Sequence, residues 1–182
     1  NAGRLMKEGR AGAVKLEGGK LVCEQIRAIV NASIPVVAHL GMTPQSVNTL
    51  GGFKVQGKTA EAARKLLEDA KAVEEAGAFA LVMECVPAKL AALVTKTLHI
   101  PTIGIGAGAG CDGQVLVYQD MLGMFMDYQP KFVRKFAEVG KTMQDAFVTY
   151  RNEIQAGNFP AEEHSFAISD EVMAQLEQEA QA

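Results

Sequence analysis

The stretch Phe79-Ala80-Leu81-Val82-Met83-Glu84-Cys85-Val86-Pro87 decides the fold. Its apolar residues lead into a single acid, and a proline opens the next helical segment. Such an unbroken apolar run, bounded by turn signals, predicts a strand that is buried on both faces of a parallel sheet. Glu84 then lies where the strand leaves the core, and the carboxyl ends of strands carry the chemistry in parallel α/β folds. Its carboxylate is therefore a candidate functional group, with a salt-bridge partner as the alternative.

The composition indicates a globular protein and argues against several function classes. The chain has 182 residues, enough for one domain with a sizeable core, and 48% of them are hydrophobic and 21% charged. A net charge of −3 without a basic cluster predicts no binding to nucleic acid or to a membrane surface. The apolar runs are far shorter than the roughly 18 residues of a membrane span. Three unevenly spaced cysteines without a C-x-x-C pair indicate reduced thiols, and hence a cytoplasmic protein.

Strand and helix patterns alternate along the chain. Four more segments have strand character, and helical patterns lie mostly between the strands. The other predicted strands lie at about 11–19, 34–41, 100–108 and 114–118, and the predicted helices at about 20–31, 59–76, 87–98, 131–139 and 142–156. In the last of these helices Met143, Phe147, Tyr150 and Ile154 are predicted to face inward. Residues 42–58 are polar and Gly-rich, which is typical of a functional or mobile loop.

Polar side chains lie at the exits of several predicted strands. Lys15, Glu17, His39 and Glu84 come from three of them, and the turn Gly104–Gly108 follows a fourth. A barrel brings all strand exits to one rim, whereas an open doubly wound sheet spreads them along an edge. We therefore favour a (β/α) barrel over the open sheet. Lys15, expected at a buried strand end, is equally compatible with a structural ion pair to Glu84 or Glu17 and with an anchor for a substrate carboxylate.

Three other features of the sequence are weaker evidence for a functional site. A lone histidine such as His39 is more often a hydrogen-bonded structural residue than a ligand. Cys85 has no neighbouring base or cation in the sequence that would lower the pKa of its thiol, so a catalytic cysteine is not expected. The turn from Gly104 to Gly110 lacks the Lys-Ser/Thr of a phosphate loop, and its glycines predict a close approach of the backbone to neighbours or to a ligand.

Seven motifs occur together in the order and spacing of one enzyme family. They are Val14–Gly19, His39–Ser46, Gly51–Gly57, Glu84–Pro87, Ile103–Gly108, Cys111–Gln114 and Pro130–Phe132. On these motifs the chain resembles the ketopantoate hydroxymethyltransferase family, and the resemblance covers nearly all of residues 1–166. The helical pattern after about residue 167 is not part of it.

The resemblance implies a fold and a reaction. The fold is a (β/α)8 TIM barrel of the phosphoenolpyruvate/pyruvate type. The reaction, a step of pantothenate biosynthesis, transfers a hydroxymethyl group from 5,10-methylenetetrahydrofolate to 3-methyl-2-oxobutanoate and gives 2-dehydropantoate, with Mg²⁺ or another divalent metal chelating the keto acid. Glu84 would be the base that removes the C3 proton, Lys15 and His39 would bind substrate, and Glu17 would belong to the metal shell. Mg²⁺ prefers oxygen ligands, which Glu17 offers, and it stabilises an enolate as a Lewis acid.

The family's barrel is longer than this chain. A barrel of this type needs ~250 residues, and the resemblance places about three more β–α units, with two metal-binding aspartates, upstream. We therefore expect residues 1–166 to form a partial barrel of about five strands, residues 167–182 to form a peripheral helical tail, and the isolated segment to be inactive. The family also implies a homo-oligomer. Two alternatives stay open: a lyase or mutase of the same superfamily, or a non-catalytic structural fragment if the chain starts at Asn1.

Overall fold

Five parallel strands form the sheet around which the first part of the chain is built in the computed structural model, which describes residues 1–180. The strands are β1 (Val14–Glu17), β2 (Val36–Gly41), β3 (Ala80–Glu84), β4 (Thr102–Ile105) and β5 (Gly113–Gln114). They lie in the order β1-β2-β3-β4-β5, and each pairs in parallel with its neighbours. The predicted parallel α/β fold is therefore confirmed, although β5 is much shorter than the pattern at 114–118 suggests.

Helices connect the first four strands, and the remaining helices precede or follow the sheet. They are α1 (Ala2–Lys7), α2 (Cys23–Asn31), α3 (Val47–Leu50), α4 (Ala60–Glu75), α5 (Ala88–Thr97), α6 (Tyr118–Met121), α7 (Val139–Ala156) and α8 (Asp170–Ala180). Thr59 caps α4, because its hydroxyl accepts a hydrogen bond from the Ala62 N–H at 3.2 Å. Gly77, with φ +100°, turns the chain after α4 into β3.

The strand order bears on the choice between a barrel and a doubly wound sheet. Every strand lies beside its neighbour in sequence, whereas a doubly wound sheet reverses its strand order at a switch point. This order supports the predicted barrel architecture. A closed (β/α)8 TIM barrel of the phosphoenolpyruvate/pyruvate type, and the upstream units it would require, stay predictions.

The two faces of the sheet carry different kinds of side chain. Paired residues of parallel strands point to the same side, and side chains alternate along each strand. The pairs Glu17↔His39, His39↔Val82 and Glu84↔Ile105 therefore place the polar strand-end residues on one face. The opposite face carries the apolar core, where the helices α2 and α4 pack on β2. Its strand residues include Val14, Val36, Ala38, Leu40, Leu81 and Met83.

The chain divides into two compact units. The first contains Asn1–Tyr118 and Pro130–Arg134, and the second contains Gln119–Gln129 and the chain from Lys135 onward. The helix predicted at 131–139 is wrong, since α7 begins only at Val139. The apolar residues of this segment suggested a helix, but the segment passes from one unit into the other. The predicted division into residues 1–166 and a tail at 167–182 stays a prediction.

Helix α7 confirms the predicted helical segment but not its inward face. Met143, Phe147, Tyr150 and Ile154 are each at least 42% exposed. Apolar periodicity identifies one side of a helix, but it does not tell whether another element covers that side. Within residues 1–180, no helix combines the length and the apolar character that crossing a membrane requires.

Candidate active site

Three neighbouring strands bring four polar side chains together. Lys15 and Glu17 lie on β1, His39 on β2 and Glu84 on β3. His39 Nδ1 is 3.0 Å from Lys15 Nζ and 3.4 Å from Glu17 Oε1, and His39 Nε2 is 3.3 Å from Glu84 Oε2. The four residues that the sequence singled out thus form one cluster, with His39 at its centre.

His39 is the buried member of the cluster, with a side chain only 2% exposed. A lysine ammonium has only donors, so its contact with Lys15 requires that Nδ1 accept a hydrogen bond. In a neutral imidazole the proton then lies on Nε2, the nitrogen beside Glu84. Nε2 has no hydrogen-bond partner among the described residues, although Glu84 Oε2 is close.

Lys15 is more accessible than the sequence suggests. Its side chain is 46% exposed, so the expectation of a buried strand end is wrong. The reason is that β1 is the first strand of the described sheet and has β2 as its neighbour on one side only. The Lys15 Nζ is 3.9 Å from Glu17 Oε1, and among the described residues Lys15 forms no ion pair with Glu84. Lys15 therefore keeps N–H donors that can bind a carboxylate.

One Glu17 oxygen is fixed by the backbone, and the other faces two residues of the cluster. The Gln45 N–H donates to Glu17 Oε2 at 2.9 Å, while Oε1 faces His39 and Lys15. A hard cation such as Mg²⁺ takes about six oxygen ligands, and within residues 1–180 no three His, Cys, Asp or Glu side chains are arranged to hold a metal ion. Glu17 fits a metal as one ligand, but the described residues do not form a complete metal centre by themselves. Its predicted metal role stays a prediction.

Two unusual backbone conformations fix the strand end that carries Glu84. Gly41 has φ +92°, and a Cβ there would lie 2.1 Å from the Glu84 carbonyl oxygen. Met42 N–H donates to that same oxygen at 2.8 Å. Cys85 has φ +51°, in the left-handed region that residues other than glycine seldom adopt. The sequence analysis predicted neither the close approach at Gly41 nor the left-handed conformation of Cys85. Only the first has a signal in the sequence, the glycine itself.

The loop at 42–58 donates backbone hydrogen bonds to the Glu17 side chain on β1 and to Cys85, the residue that follows β3. It contains a 3₁₀ turn at Pro44–Ser46 followed by α3. Besides the Gln45 contact with Glu17, Gln56 N–H donates to the Cys85 carbonyl at 2.9 Å, and the Cys85 N–H donates to the Ile105 carbonyl at 2.9 Å. The Gln56 bond joins the loop to the end of β3, and the Cys85 N–H bond joins that end to β4.

Cys85 is not placed to act as a nucleophile. Burial raises the pKa of its thiol, and the Glu84 carboxylate beside it raises this pKa further. A reactive cysteine needs the opposite shift, because the thiolate is the attacking species. The expectation that Cys85 is not catalytic is consistent with this environment.

These features define a parallel α/β protein in which two carboxylates, a histidine and a lysine meet at the carboxyl ends of adjacent strands, where such folds place their active sites. A family model described as Ketopantoate hydroxymethyltransferase matches residues 1–162. The chain belongs to this family, and the resemblance inferred from its motifs is confirmed.

Curated relatives from several bacteria match nearly the whole chain. Proteins named 3-methyl-2-oxobutanoate hydroxymethyltransferase from Clostridium novyi, Enterococcus faecalis and Clostridioides difficile are 69%, 65% and 61% identical to it. Each match extends over 176 residues, which is 97% of this chain. The chain spans 64% of the length of these relatives.

Proposed function

We propose that this chain carries the base and the keto-acid contacts of a hydroxymethyl transfer in pantothenate biosynthesis. In this reaction 3-methyl-2-oxobutanoate loses its C3 proton and C3 forms a bond to the one-carbon unit of 5,10-methylenetetrahydrofolate. Water supplies the hydroxyl oxygen, and 2-dehydropantoate and tetrahydrofolate are released. The observation that carries the proposal is the contact of Glu84 with His39, on the same sheet face as Lys15 and Glu17.

Glu84 is the proposed base. Its carboxylate lies beside His39 Nε2, whose N–H would hold one oxygen and leave the other oxygen free to take the proton from the substrate. Its side chain is 15% exposed, so little water competes for the carboxylate. A positioned base of this kind contributes roughly 10²–10⁴-fold to a rate.

Lys15 is the proposed anchor for the substrate carboxylate. β1 and β3 are separated by β2, so their backbones are about 10 Å apart, and Glu84 lies four residues beyond Ala80, the β3 residue in register with Lys15. Lys15 Nζ nevertheless reaches His39 Nδ1 at 3.0 Å, and His39 Nε2 is 3.3 Å from Glu84. A lysine and a glutamate side chain pointing to the same face reach across part of this gap. A keto acid of four backbone carbons fills the remainder, with its carboxylate at Lys15 and C3 toward Glu84.

Glu17 is the residue through which this chain would contribute to a divalent metal. When bound, such a metal acts as a Lewis acid on the keto oxygen and makes the neighbouring C–H more acidic. The Gln45 N–H fixes one Glu17 oxygen, and the other faces His39 and Lys15. Activity of the isolated segment, the homo-oligomer and the cytoplasmic location stay predictions.

Exchange of the C3 proton tests the base directly. In the natural protein that carries this sequence, 3-methyl-2-oxobutanoate in D₂O should take up deuterium at C3 without any folate. Glu84→Gln should slow this exchange by roughly 10²–10⁴-fold. Glu24→Gln makes the same chemical change at an exposed position of α2 and is the matched control. Exchange at the normal rate in Glu84→Gln would show that the base lies elsewhere.

A further inference from the structure

A buried carboxylate that the proposed function does not use lies in the middle of α4. Asp69 is only 6% exposed, and among residues 1–180 it is the only acidic residue that is buried to this degree. It lies on a helix, outside the cluster of strand-end residues around His39. A buried carboxylate is costly unless hydrogen bonds compensate for the lost water, so the groups that it binds indicate its task.

Asp69 binds the turn that follows β1. Its Oδ1 accepts a hydrogen bond from the Lys20 N–H at 2.9 Å, and its Oδ2 is 2.5 Å from Lys65 Nζ. Lys20 is the first residue of a short 3₁₀ helix, and the first N–H groups of a helix have no partner within it. A Cβ on Gly19 would lie 2.2 Å from Asp69 Cγ, so the carboxylate lies directly against a backbone that only glycine allows.

Two glycines join this turn to Glu17, the residue proposed to contribute to a divalent metal. Gly18 has φ +124°, and its N–H donates to the His39 carbonyl at 3.1 Å. The link is thus held by β2 at its first residue and by Asp69 just after its second. Glycine has more conformational freedom than any other residue, so the bond to Asp69 restricts the direction in which the chain leaves Glu17.

Packing holds this turn less tightly than it holds the strands. A cavity of about 230 Å³ is lined by Gly18, Gly19, Lys65 and Asp69. In a filled core each residue is fixed by its neighbours, whereas the two glycines have no side chains with which to fill this space. The position of the turn therefore depends on its hydrogen bonds.

We propose that Asp69 is a positioning residue, which fixes the turn after β1 and through it the Glu17 carboxylate. It acts through the backbone of Gly19 and Lys20 and does not itself bind the substrate. The proposal rests on the proposed function for the chemistry of Glu17. It adds a residue on a distant helix on which that chemistry depends.

Two sets of contacts would report a displaced Glu17. Its Oε2 accepts the Gln45 N–H at 2.9 Å, and its Oε1 faces His39 and Lys15. A shift of the Glu17 backbone would change both sets. The Gln45 bond can be followed without any reaction, which makes the proposal testable apart from the proposed function.

Amide hydrogen exchange tests the positioning directly. In the natural protein that carries this sequence, Asp69→Ala should accelerate exchange of the Gln45 amide about tenfold, because the Glu17 oxygen that accepts its hydrogen bond is no longer held in place. Circular dichroism checks that the variant is folded.

Glu74→Ala is the matched control. Glu74 lies on the same helix, and its Oε1 accepts hydrogen bonds from the backbone N–H groups of His99 and Ile100, ahead of β4. Glu74→Ala therefore also removes a carboxylate that binds backbone N–H groups, but at the opposite end of the sheet. It should leave the exchange of the Gln45 amide unchanged.

Two further variants test the same contact in other ways. Asp69→Asn should behave nearly like the parent protein, because its amide oxygen can still accept the Lys20 N–H and the Lys65 side chain, which is 73% exposed, can turn to solvent. Gly19→Ala keeps the carboxylate but takes the space that it occupies. It should accelerate exchange of the Gln45 amide as Asp69→Ala does, and it provides the test if Asp69→Ala does not fold.

Exchange of the C3 proton of 3-methyl-2-oxobutanoate links the contact to the reaction. Asp69→Ala should slow this exchange about tenfold, and Asp69→Asn much less. In a Glu17→Gln background, Asp69→Ala should add less than about a twofold loss, because the side chain that it positions has already been changed. A merely structural role would give the same factor in both backgrounds.

The outcomes separate this proposal from the proposed function. Unchanged Gln45 exchange in folded Asp69→Ala and Gly19→Ala proteins would overturn the positioning role, and so would equal acceleration in Glu74→Ala. Equal losses in both backgrounds would also overturn it when Glu17→Gln itself slows the C3 exchange. If Glu17→Gln left the C3 exchange at the parent rate, the proposed role of Glu17 in the reaction would be wrong, while faster Gln45 exchange in Asp69→Ala would still support the positioning.

Discussion

Replacing Gly41 with alanine should show how closely the ends of β2 and β3 are joined. The new Cβ carries two penalties. The first is the positive φ of +92°, which costs an L-residue about 1 kcal/mol. The second is a contact at 2.1 Å with the Glu84 carbonyl oxygen and at 2.8 Å with the buried Val86 side chain. Both neighbours belong to the segment that carries the candidate base, so the strand ends must separate.

The second penalty can be estimated from the contacts that are lost when the ends of β2 and β3 separate. The Met42 N–H bond to the Glu84 carbonyl is 2.8 Å long, and losing it costs about 1 kcal/mol net. Loosened packing of Val86 adds an amount of similar size. Gly41→Ala should therefore lower the free energy of unfolding by about 3 kcal/mol. Gly52→Ala is the matched control, because Gly52 has φ +108° with nothing within 4 Å of a Cβ and should cost about 1 kcal/mol.

Urea unfolding followed by far-UV circular dichroism measures both variants. With a slope of about 2 kcal/mol per molar urea, the midpoint of Gly41→Ala should fall about 1 M below that of Gly52→Ala. Hydrogen exchange at the Met42 amide gives a local check and should accelerate only in Gly41→Ala. Equal midpoints and unchanged Met42 exchange would refute the reasoning that the two strand ends depend on this glycine.

Two further predictions concern single side chains. Thr102 donates to Asp112 Oδ2 through its N–H at 2.8 Å and its hydroxyl at 3.0 Å, and these bonds lower the pKa of Asp112. Because the folded-state pKa is lowered, the stabilisation is fully present above the ordinary value near 3.8 and is lost as the pH falls through the folded value. The stability gap between the parent protein and Asp112→Asn should therefore shrink in acid unfolding series below about pH 4; a gap that stays constant would contradict this. Cys85 should react with iodoacetamide more slowly than a free thiol at pH 8, and Glu84→Gln should speed the reaction because it removes the charge that helps to raise the Cys85 pKa; an unaltered rate in Glu84→Gln would argue against that charge effect.

The sequence predicted the sheet well because its strands have strong local signals. The apolar run before Glu84 and the proline-led strand before His39 are both bounded by turn residues, and both are strands in the structure. Alternation within each strand then decides which side chains share a face. Lys15, Glu17 and His39, spread over two strands, could be grouped before any distance was known because a barrel brings the exits of its strands to one rim.

Other features depend on contacts between distant residues and leave no local signal. The segment around Phe132 has helical apolar spacing, but Phe132 packs on Gly106, which is far away in sequence. The left-handed conformation of Cys85 is likewise imposed by bonds to Gln56 and Ile105 rather than by its own preference. Exposure of the α7 apolar side was unpredictable for the same reason.

The separation of the two sheet faces affects how such a protein can change over time. The residues that hold the sheet to its helices, such as Val36 and Met83, point away from Lys15 and Glu84. A substitution at a strand end can alter which acids or bases meet the substrate without opening a void among the packed apolar side chains. Residues for the chemistry and residues for the core thus alternate along the same strands. Substitutions on one face can change the reaction, while selection for a stable fold acts mainly on residues of the other face.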